Sequence, residues 1–132
     1  MTKYAQHIKA SAASFDAKEI ASIVYYGIYS GDDDWRDNLE DYLSRVKLVH
    51  RLGHGGIVFV ADPEIPSLWW VDVYSPGLCA NFRTARILCL LCGNLGAKHL
   101  AATTFRSNVG REYLRRLGFQ QVDDELFGLD LT

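Results

Sequence analysis

The chain of 132 residues is short enough for one domain, residues 1–132, and a chain of this length buries roughly two-thirds of its unfolded surface on folding. Its 14 basic and 16 acidic side chains give a net charge of -2, so we expect no nucleic-acid partner, because binding to phosphates favours a basic excess. The longest apolar run, Ile87 to Cys92, is far shorter than the about 20 residues of a membrane span, so we expect no membrane partner.

The N-terminal part of the chain predicts a strand followed by a helix. Residues 4–11 alternate apolar and polar side chains, which is typical of a strand. Asp16 and Glu19 then form a capping pair, and apolar side chains recur at helical spacing from Phe15 to about Tyr29. The first helix is therefore predicted from Phe15 to about Tyr29.

A second helix is predicted from Trp35 to Leu52, closed by Gly53. The apolar side chains at helical spacing are Trp35, Leu39, Tyr42, Leu43, Val46, Val49 and Leu52. Aspartates at 32–34 precede the segment, and we interpret them as a solvated cluster at the helix start. The basic side chains near the predicted helix end are Lys47, His50 and Arg51. This distribution of charge complements a helix dipole.

The middle of the chain predicts a hairpin and then a helix. Residues 55–62 and 67–75 are rich in β-branched and aromatic side chains, and the prolines between them favour a turn. Asn81 is the predicted N-cap of the following helix, which ends at Gly93 or Gly96.

The last third of the chain predicts a strand, a helix and a closing pair of strands. The strand covers residues 98–105 and the helix begins near Ser107. Gly118 stands where a left-handed C-terminal cap is needed, directly before Phe119 and the strand pair of residues 120–132. The predicted order is β-α-α-β-β-α-β-α-β, which indicates a mixed sheet with helices packed on it.

This order and the sequence "REYLRRLGFQQV" resemble the closing half of the GNAT superfamily, the acyl-CoA-dependent N-acetyltransferases, over about residues 56–131. The last helix of that superfamily commonly ends Leu-Gly-Phe before the final strands. The resemblance implies an α/β (α+β) fold: a mixed, mostly antiparallel sheet with a V-shaped splay and helices on both faces. It also implies acyl-CoA in the splay, with its pyrophosphate on the start of the central helix, where backbone amides favour anions.

The pyrophosphate loop departs from the pattern of the superfamily. That pattern is Pro-x-x-Arg/Gln-x-x-Gly-x-Gly/Ala, and counting from Pro76 places Cys79, Phe82 and Thr84 at its last three specified positions. Counting from Ser75 also leaves both glycines absent. We therefore expect acetyl-CoA to bind weakly. The candidate cofactor-binding residues that the resemblance implies are Val73, Tyr74, Asn81, Arg83, Thr84 and Arg86. An exposed helix face is an equally good interpretation of the two arginines.

The catalytic candidates implied by the resemblance are Asp72 and Tyr113. Members of the superfamily often place a tyrosine four residues before the Gly-Phe step, where it protonates the leaving thiolate. Here Leu114 holds that position and Tyr113 lies about 100° away on the helix, so packing in the core is the favoured role for Tyr113. Asp72 and Glu112 are the candidate bases for an amine. A charge on an alternating strand is also explained by a solvent-facing side.

The three cysteines give no disulfide framework, which favours a reducing compartment, and we expect a cytoplasmic protein or one packaged in a virion. Cys89 and Cys92 form a Cys-x-x-Cys pair amid leucines, so we interpret them as buried packing residues. The four histidines lack ligand spacing, and no metal site is predicted.

Two functions follow from the resemblance. One is transfer of an acetyl group from acetyl-CoA to an amine, with these two molecules as partners. The other is a non-catalytic structural or interaction protein that reuses the fold and binds a protein partner. Small GNAT-like proteins with eroded loops occur among the internal virion proteins of tailed phages, and this chain is similar to them in size and layout.

Overall fold

The structure is a computed structural model that describes residues 15–75, 80–103 and 108–132. The predicted first strand, at residues 4–11, lies outside the described residues. The helices are α1 (Phe15–Tyr29), α2 (Trp35–Arg45), α3 (Phe82–Asn94) and α4 (Asn108–Arg116). The strands are β1 (Val46–Leu52), β2 (Gly55–Ala61), β3 (Leu68–Tyr74), β4 (His99–Thr103), β5 (Gln120–Gln121) and β6 (Leu126–Asp130).

The prediction of a single helix from Trp35 to Leu52 is wrong. Helix α2 ends at Arg45, and the remainder of the segment is strand β1, the outermost strand among the described residues, which pairs with β2 from Val46↔Val60 to Leu52↔Gly55. Its basic side chains, Lys47, His50 and Arg51, therefore lie on a strand and complement no helix dipole.

The physical reason is that both faces of β1 are covered. The neighbouring residues Leu48 and Val49 point to opposite sides of the sheet, and each is almost fully buried in a different part of the core. A strand covered on both faces loses the alternation of polar and apolar side chains, so its apolar spacing matches a helix by coincidence. Pairing with β2 then decides the structure against helical propensity.

The sheet has the strand order β1-β2-β3-β4-β6-β5 within the described residues. Neighbouring strands are antiparallel except β3 and β4, which are parallel and pair only from Leu68↔His99 to Trp70↔Ala101. Strand β3 continues to Tyr74 beyond the last of these pairs. The predicted mixed sheet, mostly antiparallel and splayed at one point, is confirmed.

Apolar side chains fill both faces of the sheet. On one face, Ala21 and Val24 of α1 and Tyr42 of α2 pack on Val49 and Val58. The buried residues of the other face come from α3, the strands and the segment after α4, and include Leu88, Leu91, Leu100, Phe119 and Phe127. The predicted placement of helices on both faces is confirmed.

The end of α4 is fixed by a Schellman motif. The amide of Phe119 donates to the carbonyl oxygen of Leu114 at 3.0 Å, and the amide of Gly118 donates to that of Arg115 at 3.0 Å. Gly118 has φ +100°, which L side chains rarely adopt. Phe119 belongs to an apolar cluster and Leu114 packs against it, a contact that often accompanies this motif. The predicted cap is confirmed.

We expect Gly118→Ala to lower the free energy of unfolding by about 1 kcal/mol, because a Cβ disfavours the left-handed conformation. The matched control is Gly93→Ala in α3, where a Cβ would lie 3.8 Å from Leu131 at ordinary contact distance. Helix propensity there favours alanine by roughly 0.5 to 1 kcal/mol. In urea denaturation, Gly118→Ala should therefore lower the free energy of unfolding and Gly93→Ala should raise it. Changes of the same sign in the two variants would contradict the assigned cap.

Candidate active site

A cavity of about 520 Å³ opens where β3 and β4 separate, on the face covered by α1 and α2. Its lining residues are Tyr25, Tyr29, Asp32, Asp34, Asn38, Asp41, Tyr42, Arg45, Val60, Pro63, Trp70, Asp72 and Thr103. The last paired positions of the two strands are Trp70 and Ala101. Asp72 and Thr103 each follow two residues later on the same side of their strand, so the cavity lies at the splay itself.

Asp72 stands at the centre of a hydrogen-bond network that ties both helices to β3. Its Oδ2 accepts from the hydroxyl of Tyr42 at 2.7 Å and from that of Tyr29 at 3.1 Å. Its Oδ1 accepts no hydrogen bond from a described residue. The sequence left open whether Asp72 faces solvent, and the structure places it half-buried at the cavity.

Burial raises the pKa of Asp72 above its ordinary value of 3.8, while the two tyrosine hydroxyls and the charge of Arg45 act in the opposite direction. Burial and then the charge of Asp72 also raise the pKa of Tyr29 and that of Tyr42. Both hydroxyls therefore remain protonated donors at neutral pH. The free Oδ1 of Asp72 is left to accept a proton or an N–H group.

Aromatic rings form the wall of the cavity. The ring centroid of Tyr25 lies 5.0 Å from that of Tyr29 and 4.7 Å from that of Tyr42. The hydroxyl of Tyr25 donates to the backbone oxygen of Trp35 at 2.8 Å, which holds α1 against the start of α2. Trp70 adds its half-buried indole. Such surfaces attract alkyl chains and cations.

The charge of the cavity is negative. Asp32, Asp34 and Asp41 line it in addition to Asp72, and Arg45 is its one cation among the described residues. The guanidinium of Arg45 is held by Asp41, with Nε to Oδ2 at 3.1 Å, and by the backbone oxygen of Ala61. The cavity therefore suits a cation better than an anion.

Tyr113, the second catalytic candidate, does not line this cavity. Its hydroxyl donates to the backbone oxygen of Ala80, and its ring stacks on Phe82 with centroids 4.7 Å apart. The guanidinium carbon of Arg116 lies 4.5 Å from the ring centre of Phe82. Tyr113 of α4 thus packs against the start of α3, and the structure does not bring it into contact with Asp72.

The candidate cofactor-binding residues lie at the end of β3 and the start of α3. Val73 and Tyr74 extend beyond the last pair with β4, and the ring of Tyr74 packs on Gly27 of α1, where a Cβ would lie only 2.4 Å from it. The remaining four residues are Asn81, Arg83, Thr84 and Arg86. Between these two groups, residues 76–79 lie outside the described residues.

The start of α3 carries charge but no glycine cradle. Asn81 is the N-cap, as predicted, and its side chain accepts from the amide of Thr84 at 2.8 Å. Thr84 is buried, whereas Arg83 and Arg86 are exposed and make no ion pair with a described residue. The helix start therefore offers two free cations to a phosphate while one of its amides is already bonded.

Other candidate chemistry is absent from the described part of the chain. Cys92 is buried in α3, and burial raises the pKa of Cys89 to about 11, so both pack as thiols. In residues 15–75, 80–103 and 108–132, no three His, Cys, Asp or Glu side chains are placed to hold a metal ion. Every helix in the same ranges is too short or too polar to cross a membrane.

Several lining residues were missed from the sequence. Tyr25 and Tyr29 follow the helical spacing of i and i+4 on α1, which indicates a shared face but not a hydroxyl partner. Asp32 and Asp34, interpreted as a solvated helix start, line the cavity, and Asp33 between them does not. Trp70 is half-buried at the cavity, and Trp69 is buried in the core on the other face of the sheet.

Solved acetyltransferases share this fold. A protein of Desulfovibrio desulfuricans, named as a GNAT-family acetyltransferase, is 10% identical with a TM-score of 0.57, over 90% of this chain and 95% of that chain. A protein named as a phosphinothricin N-acetyltransferase is 16% identical with a TM-score of 0.57, over 91% and 96% of the two chains. A Bacillus subtilis acetyltransferase solved with CoA is 15% identical with a TM-score of 0.50, over 76% and 86%.

The chain therefore has the fold of the GNAT superfamily, as the sequence predicted. Structural matches at such low sequence identity support the fold but not an activity, which must be argued from the site. No protein-family model matches the sequence, and no curated protein matches it significantly.

The raised pKa of Asp72 predicts a pH-dependent contribution to stability. As pH rises from about 4, the unfolded chain loses this proton first, because its carboxyl keeps the ordinary pKa of 3.8. The wild type should therefore lose stability relative to Asp72→Asn as pH rises through the folded pKa. Urea denaturation of both proteins from about pH 3 to about pH 7 measures this difference, and a flat or rising difference would contradict the buried carboxyl.

The same geometry predicts the direction of a second shift. Tyr42→Phe removes the hydroxyl that lowers the pKa of Asp72, so this pKa should rise further, as read from the carboxyl carbon in an NMR titration. Tyr26→Phe is the control, because Tyr26 is exposed and packs on Trp35 away from the carboxyl. Equal shifts in both variants would argue against the hydrogen bond.

Proposed function

We propose that the protein is an N-acetyltransferase that transfers an acetyl group from acetyl-CoA to an amine. The observation that carries this proposal is the position of Asp72, a half-buried carboxylate with a free oxygen at the splay of the sheet. An anionic, aromatic cavity around that carboxylate is the environment that an ammonium group prefers.

Acetyl-CoA would supply an acyl group activated as a thioester. The transfer forms a C–N bond and breaks the C–S bond, while the amine nitrogen gives up a proton and the departing sulfur gains one. Asp72 is the base in this proposal, because its Oδ1 is free and its pKa is raised towards the working pH. Tyr29 and Tyr42 hold the carboxylate in place through Oδ2.

The fit of acetyl-CoA to the chain is partial. Val73 and Tyr74 on the splayed end of β3, and Arg83 and Arg86 on α3, would hold it. Against this, the amide of Thr84 already bonds Asn81, and neither register of the pyrophosphate pattern supplies its glycines. We therefore retain weak binding of acetyl-CoA as part of the proposal.

Tyr113 is assigned a positioning role. A hydroxyl that donates to the backbone oxygen of Ala80 holds α4 against the start of α3, and in this arrangement its proton is engaged. Replacing it by phenylalanine should reduce stability by about 1 kcal/mol and change turnover little, whereas loss of a general acid costs on the order of 10²-fold.

The second candidate is a non-catalytic structural or interaction protein with the same fold, such as a virion component. It is favoured by the start of α3, where the Phe82–Tyr113 stack and the Asn81 cap satisfy groups that a coenzyme would use. This candidate requires that acetyl-CoA fails to bind at any accessible concentration and that no amine is acetylated.

Asp72→Asn should lower the rate of acetyl transfer by about 10²-fold or more at neutral pH, because the amide cannot take the proton. The measurement is release of free thiol from acetyl-CoA in the presence of an amine. Asp124→Asn, in the exposed turn before β6, is the control with the same change of charge. Equal rates of acetyl transfer in both folded variants would show that Asp72 is not the base.

Calorimetry with acetyl-CoA tests the proposed cofactor site. We expect a dissociation constant in the near-millimolar range, and Arg83→Gln combined with Arg86→Gln should weaken it about fivefold or more by removing two cations. Arg51→Gln on strand β1 is the charge control and should leave the affinity unchanged. Tight binding that is insensitive to Arg83 and Arg86 would refute this location.

A further inference from the structure

We propose that the cavity selects an aliphatic amine with a second cationic group and no carboxylate, that is, a diamine or a longer polyamine. This inference rests on the proposed function and names the class of its acceptor. It is carried by the form of the cavity: an aromatic wall with a carboxylate at the splay and further carboxylates at the α1–α2 turn.

The first step of the argument is that the negative charge has two centres. Asp72 lies on β3, where its charge acts on the hydroxyls of Tyr29 and Tyr42. Asp32 and Asp34 lie in the exposed segment between α1 and α2 and line the same cavity. A ligand with cationic groups at both ends of an alkyl chain can satisfy both centres at once.

The second step concerns the space between the two centres. The rings of Tyr25, Tyr29 and Tyr42 line the same cavity as the two centres, and their centroids lie 4.7 to 5.9 Å apart. Tyr25 and Tyr42 are buried, so the half-buried rings of Tyr29 and Trp70 supply the aromatic surface that suits methylene groups and attracts an ammonium group. An extended alkyl chain therefore matches the middle of the cavity.

The third step explains why a carboxylate on the ligand is disfavoured. Arg45 is the cation of the cavity among the described residues, and Asp41 and the backbone oxygen of Ala61 hold its guanidinium. An amino acid would place its carboxylate near Asp32, Asp34 or Asp72 with no cation released to meet it. Repulsion between like charges then provides discrimination.

Three probes of nearly equal length test the inference by calorimetry on the protein without acyl-CoA: 1,5-diaminopentane, pentylamine and L-lysine. We expect the diamine to bind about tenfold tighter than pentylamine and tighter than lysine by a similar factor, with affinity falling as salt is added. Equal affinity for the diamine and pentylamine, tighter binding of lysine, or no binding of any probe would overturn the inference.

The acidic turn of the cavity supplies matched variants. Asp32→Asn and Asp34→Asn should each weaken diamine binding by roughly threefold to fivefold and leave pentylamine binding within about twofold. Asp33→Asn makes the same change of charge in the same turn, but Asp33 does not line the cavity, so both affinities should hold. An equal loss of diamine affinity in all three variants would mean that the turn attracts cations only through its overall charge, and it would overturn the proposed site.

A thiol-release assay with the same probes separates this inference from the proposed function. Selective diamine binding without thiol release would refute acetyl transfer while supporting the selectivity. Release of thiol at equal efficiency with the diamine and pentylamine would support acetyl transfer and overturn the selectivity.

Discussion

The hydrogen bonds that Tyr29 and Tyr42 donate to Asp72 are the interaction on which the site depends. A half-buried carboxylate is costly unless donors compensate for lost water, and here the donors come from two helices. One oxygen of Asp72 thus joins α1, α2 and β3 at the point where β3 leaves β4. The fold requires this carboxylate to be satisfied, and the proposed chemistry requires its other oxygen to be free.

The splay of the sheet divides the site between two faces. The cavity lies on the face of α1 and α2, whereas the start of α3, with Arg83 and Arg86, belongs to the other layer. Strands β3 and β4 stop pairing at Trp70 and Ala101, so within the described residues the sheet is not closed by ladder hydrogen bonds beyond this point. In the proposed function, the amine would lie on the face of α1 and α2 and acetyl-CoA on the face of α3.

Features decided by local chemistry were predictable from the sequence. The Asn81 cap and the left-handed Gly118 each depend on a few neighbouring residues, and the structure has both. The end of α2 was not predictable in this way, because β1 becomes a strand through pairing with β2 and burial on both faces. The spacing of apolar residues within a segment does not show which other elements will pack on its two faces.

The partners of Asp72 were not predictable for a related reason. Tyr42 and Tyr29 lie 30 and 43 residues before Asp72 in the chain, and nothing in their helical stripe distinguishes a tyrosine that donates from one that only packs. The sequence indicated Asp72 itself through a family resemblance. The cavity around it required the three-dimensional arrangement of two helices and a strand.

The contact between Gly27 and Tyr74 sets a spacing in this arrangement. The ring of Tyr74 occupies the space that a side chain at position 27 would take, so α1 packs directly on this ring at the end of β3. A larger residue at this position would require the ring of Tyr74 or the helix to move. The packing of α1 on the splayed end of β3 therefore depends on a position that carries a hydrogen atom in place of a Cβ.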